Sequence, residues 1–201
     1  MSLKSNFKSD LKKEQALIIL LDKIYTSKLK NYAYKRVNEY GLQLKGVDVI
    51  FEHKTSKKEF FIDEKAQLDY VNENLPTFAF ELSYMKDGEE KKGWLFDERK
   101  KTDFYALVTS IFIDSGEYSS CKITLVNRGK LIEKLTSLDL NFSTLKDYRT
   151  KETHGRILLE QLNQKKEGYL FLSTKNKAEH PLNLVLKLDW LLDTKIAKRL
   201  V

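Results

Sequence analysis

The chain has 201 residues, of which 41% are apolar, 32% charged and 11% aromatic, a composition that suits one globular domain and argues against wholesale disorder. Its single cysteine, Cys121, excludes an intrachain disulfide and a Cys-rich zinc site. The longest near-apolar run, Ala16 to Leu21, falls far short of the roughly 20 residues a membrane span needs, and Met1-Ser2-Leu3-Lys4-Ser5-Asn6 has no apolar stretch of the secretory kind, so a cytoplasmic protein is expected.

The net charge of +7 is unevenly spread. Residues 1–45 carry ten basic and four acidic groups, residues 46–117 ten and sixteen, and residues 118–201 sixteen and nine. Basic flanks around an acidic middle suit a polyanion gripped by the flanks while the central carboxylates hold a cation. Plain surface composition gives the same distribution, so charge alone does not choose.

In chain order, Ser9-Asp10-Leu11-Lys12-Lys13-Glu14 before the apolar run reads as a capped helix extending to about Leu29. A second helix is expected from Tyr32 to Tyr40, stopping at Gly41. The period then changes to that of strands. Val47 to Phe51 and Phe60 to Ala66 form a hairpin around the polar link His53 to Lys58. Thr77 to Tyr84, Thr102 to Ile113 and Tyr118 to Val126 read as further strands, with a turn from Lys86 to Gly93. Arg128 to Leu138 reads as a helix, and 139–166 as loops with at most a short helix. Gly168 to Ser173 and Leu182 to Lys187 read as strands, and Asp189 to Leu200 as a closing helix. The expectation is an α/β or α+β fold in a single domain over 1–201. Its mixed central sheet is flanked by helices, with the core at about 10–126 and 127–201 completing the sheet and its cover.

The hairpin carries the chemistry. If the link turns symmetrically between Thr55 and Ser56, paired positions sum to 111 and Asp48 falls opposite Asp63, with Lys65 on the same face. Val47, Val49 and Phe51 share the other face with Phe60 and Ile62. Facing carboxylates with Cβ atoms about 5 Å apart repel. Beside apolar Ile50 and Phe61, either one takes up a proton or a cation sits between them. Mg²⁺ suits two hard oxygen donors with waters completing an octahedron.

Gly46-Val47-Asp48 on one strand and Asp63-Glu64-Lys65 on the next, with the aspartates spaced 15 positions apart, resemble the PD-(D/E)xK nuclease superfamily, whose fold is a restriction-endonuclease-like mixed sheet flanked by helices. Val47 stands where proline often precedes the aspartate, and Asp63 replaces the commoner glutamate, which the motif permits. The resemblance covers about residues 10–70. It implies that Asp48 and Asp63 ligate Mg²⁺ (or Mn²⁺), and that Lys65 orients or activates the attacking water. Glu14 on the preceding helix then assists through a metal-bound water, and the Glu64 backbone carbonyl completes the coordination. It also implies a DNA substrate, endonucleolytic cleavage of a restriction, repair or phage-related kind, and a homodimer to cut both strands. The alternative expectation is a non-catalytic nucleic-acid-binding or assembly protein with the same fold.

Lesser candidates surround this core. Gln67 continues the Asp63, Lys65 alternation, where related nucleases place a polar residue; an ordinary strand-end glutamine reads the same way. Glu81 on the third predicted strand is either another ligand or an exposed strand position. Glu39 competes with Glu14 for the helical acidic role. Glu64 falls on the apolar face, so a bulge or an ion pair must accommodate it. His53, His154 and His180 have no partner at metal-ligand spacing. Phosphate-cradling glycine loops and nucleophile elbows are absent, which argues against an NTPase, a dinucleotide enzyme or a serine hydrolase.

Overall fold

A computed structural model describes residues 7–151, 153–175 and 179–201, and the side chains of these except 7–12, 150 and 151. Residues 1–6 and the side chains of the expected Ser9 to Lys12 cap lie outside these, and the helix begins at Phe7, ahead of that cap. The chain is α+β and divides into two compact units, one made of Met1–Leu75, Lys101–Val126 and Lys198–Val201, the other of Pro76–Lys100 and Asn127–Ala197. Among the described residues no helix is long and apolar enough to cross a membrane.

The first unit opens with helix α1, Phe7–Lys28. Leu17, Leu21 and Tyr25 recur every four residues, which puts them on one stripe, and all three are buried against Val49, Phe51, Ile62, Ala106 and Val108 of the sheet. Tyr32–Arg36, expected as helix, is instead strand β1. Its residues alternate between half-buried and exposed, the period of a pleated strand rather than of a helix. It pairs antiparallel with β2, Val49–His53, from Tyr32↔His53 to Arg36↔Val49. Helix is confined to α2, Tyr40–Gln43.

Strand β3, Glu59–Ala66, pairs antiparallel with β2 from Val49↔Ile62 to Glu52↔Glu59, the register in which positions sum to 111. A 3-10 turn, Leu68–Tyr70, follows β3. On its other side β3 runs parallel to Phe104–Asp114, with Ile62↔Phe104 through Ala66↔Val108. Glu117–Asn127 and, near the end of the chain, Ala197–Arg199 complete a mixed six-stranded sheet.

In the second unit, β4 (Thr77–Lys86) and β5 (Glu89–Lys92) form a hairpin. With the two strands Phe104–Asp114 and Glu117–Asn127 numbered β6 and β7, this unit continues with β8 (Gly155–Ile157), β9 (Gly168–Leu172) and β10 (Leu182–Lys187). The order β5-β4-β10-β9-β8 is antiparallel throughout. Phe80, Leu82, Leu170, Leu184 and Leu186 give it a buried core of its own. Residues 127–201 therefore do not complete one central sheet; among the described residues of that stretch, only Asn127 at the end of β7 and the last strand, β11 (Ala197–Arg199), belong to the first sheet. Four helices belong here: α3 (Arg128–Ser137), α4 (Phe142–Lys146), α5 (Tyr148–Lys151) and α6 (Leu188–Asp193). The expected closing helix ends early: Thr194 Oγ1 donates to the Trp190 carbonyl at 2.6 Å and Lys195 takes φ 57°, a left-handed turn that ends a right-handed helix.

Candidate active site

The start of β2 and the second half of β3 bring three of the expected side chains together. Asp63 is 1% exposed. Its Oδ1 accepts from Lys65 Nζ at 2.5 Å, while its Oδ2 is buried with no hydrogen-bond partner. The Lys65 side chain keeps 28% of its surface exposed, so its ammonium faces both the carboxylate and solvent.

Asp48 arrives differently from the expectation. The regular ladder begins at Val49↔Ile62, one residue short of an Asp48–Asp63 pair. At Asp48 the backbone bends and its N–H donates to the Ile62 carbonyl at 2.8 Å, a slip of one position against the 111 register. Asp48 Oδ2 then accepts from the main-chain N–H of Glu64 at 2.8 Å. A short acidic side chain competes with strand backbone in this way, and the result ties the Asp48 carboxylate to the peptide between Asp63 and Lys65.

Burial is the main cause that pushes the Asp63 carboxyl up from an ordinary 3.8 to about 6; the Lys65 ammonium pulls it down, and the negative charge of Asp48 adds to the rise. Two acids and one amine thus form a coupled group, with one carboxylate oxygen left without a donor.

Glu64 points the other way, onto the α1 face, and is held there by an ion pair. Its Oε1 accepts from the buried Tyr25 hydroxyl at 2.6 Å and its Oε2 from Arg36 Nη1. Arg36 Nε donates to Asp22 Oδ1 at 2.9 Å. Burial raises the Glu64 pKa, opposed by Arg36 and Tyr25, and burial together with Glu64 raises that of Tyr25. Reading 32–40 as helix hides Arg36, and the pattern of α1 does not single out Tyr25 or Asp22. The alternation Tyr32, Tyr34, Arg36, in step with a strand, was the available signal.

Glu14 is exposed on α1, eleven residues and therefore about 16 Å along the axis from Tyr25; the structure does not bring it to Asp48 and Asp63. The acid that α1 does bring to the network is Asp22. Glu39 is exposed at the start of α2. Gln67 lies just beyond β3, its N–H donating to the Val108 carbonyl at 3.0 Å. Glu81 belongs to β4 of the second unit, opposite Asn183. Cys121 is buried, and burial pushes its thiol up to about 11, which leaves no thiolate for nucleophilic chemistry at neutral pH.

Among the described residues no three His, Cys, Asp or Glu side chains are grouped to hold a metal ion. The donors present are the Asp48 carboxylate and the orphaned Asp63 Oδ2. With the Glu64 side chain engaged by Arg36 and Tyr25, only its main-chain carbonyl is on offer. This hard-oxygen set fits a cation that keeps several waters, as Mg²⁺ does, and an unpaired buried carboxylate oxygen gains from such a charge. No family model matches the chain, nor does any curated protein or solved structure.

Proposed function

We propose that this protein is a metal-dependent deoxyribonuclease of the PD-(D/E)xK type, cutting within DNA strands. The observation that carries the reading is Asp63 Oδ2: buried, without a donor, beside a second carboxylate and next to an ammonium. Burying such an oxygen unpaired is costly, and a protein built only for stability gains by removing it. When bound by Asp48 and Asp63, Mg²⁺ or Mn²⁺ supplies Lewis acidity for phosphodiester hydrolysis. Lys65 places a positive charge where negative charge develops on the phosphate, at a site already partly withdrawn from water. The Glu64 N–H fixes the Asp48 carboxylate, and Asp63 is largely ionised above about pH 6. The excess of lysine and arginine supplies phosphate contacts, so DNA affinity falls steeply as salt rises.

Supercoiled plasmid incubated with Mg²⁺ or Mn²⁺ tests this. Nicked or linear product is expected, lost on chelation and in Asp63→Asn and Lys65→Ala with folding retained. DNA binding without cleavage, indifferent to both substitutions, overturns the enzyme in favour of a nucleic-acid-binding protein.

A further inference from the structure

We propose that Tyr40 and Leu44 form a stacking contact for a nucleobase of single-stranded DNA beside the Asp48–Asp63 group. The inference rests on the reading of the chain as a protein that acts on nucleic acid, and adds where the strand lies and in what state. Tyr40 and Leu44 are four residues apart over α2 and its C-cap, hence on one side of that turn. They are 72% and 58% exposed, while Leu42 between them is half-buried.

This segment leads directly into Asp48 and is tied down at several points. Gln43 Nε2 donates to the Val37 carbonyl at 3.0 Å, and the Val37 N–H to the Asp48 carbonyl at 2.9 Å. Thr102 Oγ1 donates to the Gly46 carbonyl at 2.7 Å in a buried contact, and the Lys101 N–H to the Lys45 carbonyl at 2.8 Å. The exposed ring and the leucine are thus held at a fixed short distance along the chain from the carboxylate.

The charge around them selects the occupant. Lys45 and Lys101 are exposed where the two segments meet. Lys35, also exposed, pairs with Ile50 and so shares the sheet face of Ile50, Phe61 and Asp63. Glu39 is the opposing charge in the same segment. Lysines that follow a phosphate backbone, with an aromatic ring between them, are the elements of single-strand binding, where each base offers a π-face. Two apolar side chains are too little surface for a stable protein interface.

The test is binding of a single-stranded oligonucleotide carrying 2-aminopurine, in EDTA, so that cleavage plays no part. Quenching of the probe is expected on binding to the full chain. Tyr40→Ala should weaken affinity about tenfold and lose the quench, Tyr40→Phe should retain both, and Leu44→Ala should lose part of the affinity. Lys45→Ala with Lys101→Ala should flatten the slope of log affinity against log salt by about 0.7 for each lysine. Ile19→Ala, another exposed apolar residue (61%) on α1, should change nothing. Unchanged affinity and quench in Tyr40→Ala overturn the inference, as does a Tyr40→Ala variant that binds normally but changes molecular mass in light scattering, the mark of a protein contact. Because no metal is present, a chain that binds as described yet cuts nothing leaves this inference standing and removes only the nuclease.

Discussion

Lys65 donates to Asp63 from two residues along the same face of β3, at 2.5 Å, and yet the carboxyl group titrates at about 6. Burial outweighs the salt bridge. Between about pH 4 and pH 6 the folded chain holds a proton on Asp63 that the unfolded chain has released. Stability from this group therefore falls as pH rises through that window, and its cost is fully present above pH 6. A shift from 3.8 to about 6 corresponds to roughly 3 kcal/mol. Asp63→Asn should accordingly raise the urea midpoint at pH 8, by about 1–3 kcal/mol in stability, and approach wild type near pH 4. A variant less stable than wild type at pH 8 contradicts the account.

Adding the divalent ion should act on the same oxygen. At pH 7.5, Mg²⁺ or Mn²⁺ at a hundredfold excess over its dissociation constant should stabilise the fold by about 2.7 kcal/mol. The rise in Tm should vanish in Asp63→Asn and in Asp48→Asn. Calorimetry that shows no Tm change with wild type would mean these donors hold no ion.

The Arg36–Glu64 pair predicts a different response. The two side chains are 20% and 12% exposed, so Glu64→Ala leaves the guanidinium with Asp22 alone and the buried Tyr25 hydroxyl without its acceptor, and should cost about 1.5–3 kcal/mol. Replacing both, Arg36→Met with Glu64→Leu, should cost less than the single change, because the only charge that then loses its partner is Asp22, which water reaches. Lys57→Ala, which breaks the exposed Lys57–Glu52 pair at 2.9 Å, should change stability by less than about 1 kcal/mol. Denaturant midpoints of the three variants decide the order.

Gly93 is required by close approach rather than by its backbone angle. A Cβ there would lie 2.4 Å from the Glu81 carbonyl oxygen and 2.6 Å from its carbon. Both belong to the backbone, and strand β4 would have to shift. Gly93→Ala should destabilise the fold by about 1–3 kcal/mol, read by thermal unfolding, whereas Gly88→Ala, with nothing within 4 Å but φ at +79°, should show only the smaller cost of a left-handed alanine, about 1 kcal/mol.

The hairpin register was legible because side chains alternate with a period of two and one face must be apolar. Alternation puts Val49, Phe51, Phe60 and Ile62 on one face and Asp63 and Lys65 on the other, and a symmetric link between Thr55 and Ser56 selects the 111 pairing among those that keep these faces. The strand nature of Tyr32–Arg36 was not read, since five residues also fit the flank of a helix and only pairing with β2 distinguishes them. Glu14 and Glu39 are the helical acids that sequence order offers, and neither is the acid that reaches the network, because order says that α1 precedes the site but not which of its turns reaches β3.

From the residues alone came the helix over α1, the 111 register and the need of Glu64 for a bulge or an ion pair on an apolar face, all consequences of local periodicity and of the cost of burying a charge. The folded chain decided what depends on distant segments meeting: the separate antiparallel sheet of β4, β5, β8, β9 and β10, the bend that hands the Asp48 carboxylate to the Glu64 N–H, and Arg36 as the partner of Glu64. Such contacts join residues tens of positions apart, and no local pattern encodes which of several chemically equal partners long-range packing will bring within reach.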